Sequence, residues 1–317
     1  MVGLERRWRP DWPLDRGGLL AAHRRGAGDP THRRVGTGDR AVWWRATSNP
    51  EGPVLLRLVP GSGEVVATAW GAGAERALAE LPALLGADDD PSGFTPAHPL
   101  VAEAHHRIPG LRIGRTGAVA EALLPACLEQ VVTSGEAYAA FRMLVTAYGD
   151  PAPGPAGDPD SPAAGMRLPP TPRAWATVPS WQFLKAGVEP RRSRPLVRAA
   201  TRADALERTL TLEPAAADRA LQSLPGIGPW TSAETRQRAH GDADAWSIGD
   251  YHVGDAITYA LLGEKLGDEV ATELLEPYAG HRYRVQCLVL RAVGVAPRRG
   301  PRRTLPTHLP QTSYRWP

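Results

Sequence analysis

The stretch LQSLPGIGPWTSAE, residues 221–234, sets two glycines one residue apart with a proline on each side and helix-forming sequence beyond. A chain uses Gly-x-Gly where the backbone must turn tightly or let something approach closely. The nucleotide readings of this pattern fail. A dinucleotide fingerprint needs a preceding strand and a third glycine three residues on, where Thr231 stands, and a phosphate-binding loop needs Gly-Lys-Ser/Thr. Pro229 suits the first turn of a helix, where its missing N–H costs nothing. The segment therefore reads as helix, short hairpin and helix, over about 213–240.

Gly226 and Gly228 let such a hairpin turn and expose N–H groups, with Ile227 between them. Together with the N-terminus of the second helix, these form a site for an anion such as a DNA phosphate. An ordinary helix–helix turn, which often contains glycine, is the other reading. Trp230 follows at once as a candidate exposed aromatic. Twenty residues further, "HGDADAWSIGDYHVGDAI" places Asp250 after a glycine and before a helical pattern. That aspartate is either an N-terminal cap or a catalytic carboxylate presented at a helix end. One helix and a return loop would let Trp230 and Asp250 face one cleft.

Working outward, "RAVWWRAT", "PVLLRLVP" and "EVVATAWG" alternate like strands between Gly, Pro, Asn and Asp. "GAERALAELPALLG" reads as a helix, and "ADDDPSGFTPAHP" as a boundary loop. Helical spacing then dominates, interrupted by the proline- and glycine-rich "DPAPGPAGDPDSPAAGMRLPPTP", a loop by composition. The expected fold is mainly α: a small N-terminal α+β domain over 1–95 and an all-helical body over 96–296. A basic, proline-rich tail follows over 297–317.

The chain has 317 residues, with 37 basic against 34 acidic side chains for a formal charge of +3. That excess is too small to establish nucleic-acid binding. Arginine clusters in "RRSR", 191–194, and "PRRGPRR", 297–303, suit phosphate contacts. Cys127 and Cys287 lie in apolar helical patterns and read as inert core residues, and two cysteines cannot hold an iron–sulfur cluster. No apolar run reaches membrane-spanning length, and the N-terminus lacks a signal-peptide core. A soluble, cytoplasmic monomer, nucleoid-associated in a bacterium, is the expectation.

The combination LPGIGPWTSAE…GDADAWSIGDYHV resembles the helix–hairpin–helix DNA glycosylase superfamily, nearest its alkylpurine branch, the bacterial 3-methyladenine DNA glycosylase II type. The likeness covers about 100–295. It implies a monofunctional enzyme that flips out and excises alkylated purines from damaged double-stranded DNA, initiating base excision repair. Asp250 matches the family's catalytic aspartate. Trp230 stands where lyase-competent members carry a lysine, so no Schiff base forms. Trp230, Tyr251 and Glu234 fall at base-pocket positions. Gly226, Ile227, Gly228, Thr231, Gln130, Val131 and Arg282 fall at DNA-contacting ones, Val131 matching the apolar wedge that fills the gap left by a flipped nucleotide. No catalytic metal or cofactor is implied beyond a structural monovalent cation at the hairpin. Glu234 replaces an aromatic residue, and Leu290 stands where a further pocket tryptophan is expected. A glycosylase for deaminated or oxidised purines is therefore an alternative, as is a non-catalytic DNA-binding protein.

Overall fold

A computed structural model describes residues 2–294; the basic stretch 297–303 and the rest of the tail lie outside the described residues. An antiparallel sheet of β1 (Leu4–Trp8), β2 (His32–Val35), β3 (Val42–Asn49), β4 (Gly52–Pro60) and β5 (Val65–Trp70) comes first, in the order β1-β5-β4-β3-β2. The three alternating runs are β3, β4 and β5. Sequence reading missed β1 and β2. They are the two edge strands, and their Arg6, Arg7, Arg33 and Arg34 give them the charge that blunts an open edge.

The Trp43–Trp44 pair shows how the sheet is buried. Successive strand residues point to opposite faces. Trp43 packs with Leu56, Leu58, Val65 and Leu81 under the short helices α1 (Ala74–Ala79) and α2 (Leu81–Leu84). Trp44 packs with Ala46, Leu55, Ala156 and Met166 on the other face. The proline- and glycine-rich segment expected to be a loop is thus irregular but packed: it covers the second face of the sheet. Arg167 fastens it, its backbone N–H donating to the Pro30 carbonyl and its Nη1 to the Gly149 carbonyl.

The helical body comprises α3 (Pro99–Arg107), α4 (Val119–Glu129), α5 (Ser134–Tyr148), α6 (Pro172–Thr177), α7 (Ser180–Lys185), α8 (Pro190–Ala200), α9 (Ala203–Glu207), α10 (Pro214–Gln222), α11 (Pro229–Thr235), α12 (Val253–Leu262), α13 (Gly267–Leu275) and α14 (Arg282–Ala292). It holds two apolar cores. Leu123, Phe141, Trp175, Phe183, Leu196, Leu221 and Ile227 build one from the α4–α10 region and the hairpin. Val101, Trp246, Ile257, Leu275, Leu288 and Val289 build the other from α3 and α12–α14. A π-helical turn, Arg236–His240, prolongs α11, and Ala239 joins the first core. Cys127 is buried there and burial pushes its thiol up to about 12, which fits an inert core residue.

Polar groups are trapped where the sheet meets the helices. Arg45 donates to Glu121 at 2.8 Å, and Arg25 to Glu129 at 2.8 Å. Asp29 accepts the backbone N–H groups of Arg25, Thr31 and His32 as well as the Thr31 hydroxyl. His32 is buried among them and its ring faces His23 at 6.2 Å. Burial lowers His32 to about 4, the Asp29 carboxylate opposing and Arg45 reinforcing the shift. His23 is also lowered, by burial and by the Arg45 charge.

These imidazoles are neutral in the folded protein and protonate first in the unfolded chain. Stability attributable to them is therefore intact above pH 6.5 and falls between about 6.5 and 4, where only the unfolded state takes up the proton. His32 alone accounts for a loss on the order of 3 kcal/mol. Melting curves across this range should flatten on the acid side in His32→Gln; an unchanged acid slope in that variant would refute the assignment.

Candidate active site

The hairpin Pro225–Gly228 joins α10 to α11. Its two glycines have different jobs. Gly226 adopts φ +93°, and a Cβ there would stand 2.3 Å from Cγ of Pro195 in α8. Gly228 has φ −97° and ψ −178°, ordinary extended backbone, and a Cβ there would meet nothing within 4 Å. Gly226 is thus required by the turn, while Gly228 leaves open space beside the start of α11. The first N–H groups of a helix have no carbonyl one turn earlier to bond, so this end offers free donors.

Next to the hairpin lies the turn after α4. The Gln130 side-chain amide donates at 2.9 Å to both the Gly226 carbonyl and the Thr231 hydroxyl. Val131 follows with φ 53°, among the described residues the only non-glycine with a positive φ, and it is 76 % exposed. A β-branched residue held there costs about 1–3 kcal/mol. Its side chain gains no burial in return. Thr133 then caps α5 in a reciprocal pair with Glu136, which fixes the far end of the turn.

Asp250 sits in the turn before α12. Its Oδ1 accepts the backbone N–H groups of His252 at 2.8 Å and Val253 at 3.1 Å, as a helix-capping carboxylate does. Its Oδ2 accepts the indole N–H of Trp230 at 3.2 Å. Both readings of this aspartate thus meet in one side chain: one oxygen caps the helix and the other turns to Trp230. A carboxylate has about four acceptor sites, so Oδ2 keeps a free lone pair.

One turn below Trp230, Glu234 is buried. Its carboxylate accepts Arg238 Nη1 at 2.6 Å and the Ser247 hydroxyl at 2.6 Å. Gln237 and Gln286 each donate to Ser247 Oγ at 2.9 Å, and Arg238 Nε donates to the Ala22 carbonyl. Glu234 thus faces inward and is paired. Behind this network is a cavity of about 80 Å³, walled by Trp12, Leu19, His23, Arg238, Tyr283 and Cys287. Trp230 and Asp250 do not line it. Burial pushes the Tyr283 phenol well up and raises the Cys287 thiol, so both are neutral donors.

Comparison with protein-family models and with curated proteins finds no match. Solved structures do match. The chain is similar to a 3-methyladenine DNA-glycosylase from Archaeoglobus fulgidus, at 19% identity and a TM-score of 0.71 over 90% of this chain and 96% of that one. It is also similar to a Clostridium acetobutylicum 8-oxoguanine glycosylase/lyase in complex with double-stranded DNA, at 12% identity and a TM-score of 0.66 over 92% and 98%. The chain has the helix–hairpin–helix DNA glycosylase fold.

Within this fold several expected contact residues sit differently from their sequence reading. Ile227 and Thr231 are buried, Ile227 in the first core with its backbone N–H donating to the Leu224 carbonyl and Thr231 beneath Gln130, so neither side chain is open to a strand. Arg282 is paired internally: its Nη1 reaches Asp244 at 3.2 Å and its backbone N–H bonds the same carboxylate. In the "RRSR" cluster Arg192 is buried and donates to the Leu128 and Gly187 carbonyls, which ties the end of α4 to the end of α7. Tyr251 is 89 % exposed and packs edge-on against His252 rather than in an enclosed pocket. Sequence reading missed Arg238, Ser247, Gln286 and Asp268, which sit on separate elements and carry no local motif. No helix among the described residues is long and apolar enough to cross a membrane.

The two hairpin glycines should separate in a stability assay. Gly226→Ala meets both the left-handed φ and Pro195, and urea unfolding should show a loss of about 2–3 kcal/mol. Gly228→Ala should leave stability unchanged or raise it by up to about 1 kcal/mol, by restricting the unfolded chain. Equal losses in the two variants would contradict the division.

Proposed function

We propose that the protein is a monofunctional DNA glycosylase that excises alkylated purines of the 3-methyladenine type. The observation that carries the reading is Asp250, held by α12 and Trp230 together, next to a glycine hairpin with open backbone. Cleaving an N-glycosidic bond leaves the sugar cationic at C1′. An oriented carboxylate stabilises that charge or directs the attacking water, and an alkylated purine is already a good leaving group. Trp230 offers its indole face to an electron-poor base. The hairpin holds the phosphate backbone through N–H groups. Val131, strained and exposed, fits a wedge that replaces the flipped nucleotide. A monovalent cation at the hairpin would use the remaining lone pair of the Gly226 carbonyl, whose other one takes Gln130.

The residue after the hairpin proline is Trp230 rather than a lysine, and the chain's lysines are Lys185 on α7 and Lys265 between α12 and α13. This supports hydrolysis by water without an imine. A second reading, a neutral deaminated or oxidised purine, is favoured by Glu234. Its charge would suit a cationic base, but Arg238 offsets it.

Duplexes carrying single defined lesions, scored for base release, test the reading. Release of alkylated purines is expected; release of hypoxanthine or oxidised purines alone would move the substrate to the second reading. Binding without any release would leave a DNA-binding protein. Asp250→Asn should lose about 10²–10⁴ in single-turnover excision while keeping DNA affinity. Borohydride reduction during turnover should trap no covalent adduct, since Trp230 cannot form an imine.

Trp230 has two roles that substitution can divide. Trp230→Phe keeps a ring for stacking but loses the bond to Asp250, so excision should fall while lesion affinity stays within about threefold of wild type. Trp230→Ala should lose both, with stacking worth about 1–3 kcal/mol. Identical lesion affinities for the Phe and Ala variants would refute stacking by the indole.

A further inference from the structure

A second carboxylate stands behind the first. Asp268, at the start of α13, reaches across to the segment that carries Asp250. Its Oδ2 accepts the Gly249 N–H at 2.6 Å. Its Oδ1 lies against the first turn of α12, where a Cβ built on Gly254 would come within 2.1 Å of it. One carboxylate thus bonds the start of 249–254 and packs closely against its end. Gly249 takes φ +87° at this grip, with its Cα facing the Cβ of Trp230. The α12–α13 turn is closed from the other side, the Gly267 N–H donating to Asp255 Oδ1 at 3.2 Å.

We propose that Asp268 is a positioning residue for excision: it fixes the Gly249–Asp250 turn against Trp230 and adds a second negative charge behind the carboxylate that faces the sugar. The proposal rests on the glycosylase reading. Its chemical logic is that a cationic sugar is stabilised by the summed field of nearby fixed charges, strongly so where water is excluded. The groups facing Asp268 are the Gly249 N–H and the Asp250 and Asp255 carboxylates. Burial raises Asp268 above the ordinary carboxylate range; the Gly249 bond opposes this, and Asp250 and Asp255 add to it.

Asp268→Asn keeps an oxygen acceptor for Gly249 and removes the charge; Asp268→Ala removes both. On a duplex whose lesion the wild type excises, single-turnover rates are followed from pH 5 to 9. The Asn variant should fall roughly tenfold, with the acid side of its profile moved to lower pH because carboxylate repulsion is gone. The Ala variant should fall roughly a hundredfold. Both should bind an abasic duplex within about twofold of wild type. A wild-type rate and profile in Asp268→Asn would overturn the proposal while leaving the function standing. So would loss of DNA binding and folding in step with activity, which marks a purely structural residue. A wild type that releases no base from any duplex would instead overturn the function. Carbon-13 carboxyl titration of the free protein tests the charge coupling without turnover: Asp268 should titrate lower in Asp250→Asn than in wild type, and an unmoved Asp268 would overturn the proposal.

Discussion

A buried carboxylate such as Glu234 is costly to the fold unless it is paired and hydrogen-bonded. Meeting that requirement organises the site. Arg238 lies one helical turn on and supplies the charge, Ser247 supplies a hydroxyl, and Gln237 and Gln286 hold Ser247 in turn. The network joins α11, the 242–250 loop, α14 and, through the Ala22 carbonyl, the N-terminal layer. Trp230 sits one turn above Glu234 on α11, and Asp250 lies three residues beyond Ser247. Removing one member of a buried pair leaves the other uncompensated at a cost of about 3–5 kcal/mol. The network is therefore a constraint on geometry, with Trp230 and Asp250 fixed at its two exits.

Asp250 illustrates how capping and chemistry coexist. A carboxylate free to rotate would spend little time aimed at any one atom. Two backbone N–H groups of the α12 start hold its Oδ1, and that choice fixes where Oδ2 points. The indole of Trp230 then takes one lone pair of Oδ2 and leaves another. Under the proposed function, the helix end that stabilises the fold thus also aims the reactive oxygen. Orientation of this kind removes entropy from the reacting complex in advance.

The hairpin, Trp230 and Asp250 were legible in the sequence because each has a local signature: Gly-x-Gly between prolines, an aromatic after the turn, an acid before an apolar helix. The alternating runs gave β3, β4 and β5 for the same reason. The edge strands β1 and β2 were not legible, since charge on their outer side masks alternation. The 151–168 segment read as a loop and is irregular, but composition does not reveal that Ala152, Ala156 and Met166 are buried on the sheet. Arg282 and Arg192 looked like phosphate ligands because arginine count says nothing of partners; Asp244 and two carbonyls occupy them. Asp268 lies eighteen residues after Asp250 on another helix, and in one dimension it reads only as an acid in a first turn.

The internal use of arginine bears on how a strand would be held. Arg236 is paired with Asp218 and Asp242, Arg284 with Asp89, Arg45 with Glu121 and Arg25 with Glu129. These cations serve the fold, so 37 basic residues overstate the charge offered to a polyanion. Under the proposed function the strand is gripped instead by directed backbone donors at the hairpin, at a place Gly228 keeps clear of side chains. Backbone donors read no base, which suits a protein that must slide over undamaged DNA. Discrimination is then left to the step in which Val131 replaces a nucleotide and Trp230 meets its base. That step depends on how easily the nucleotide leaves the stack, and a damaged base leaves most easily.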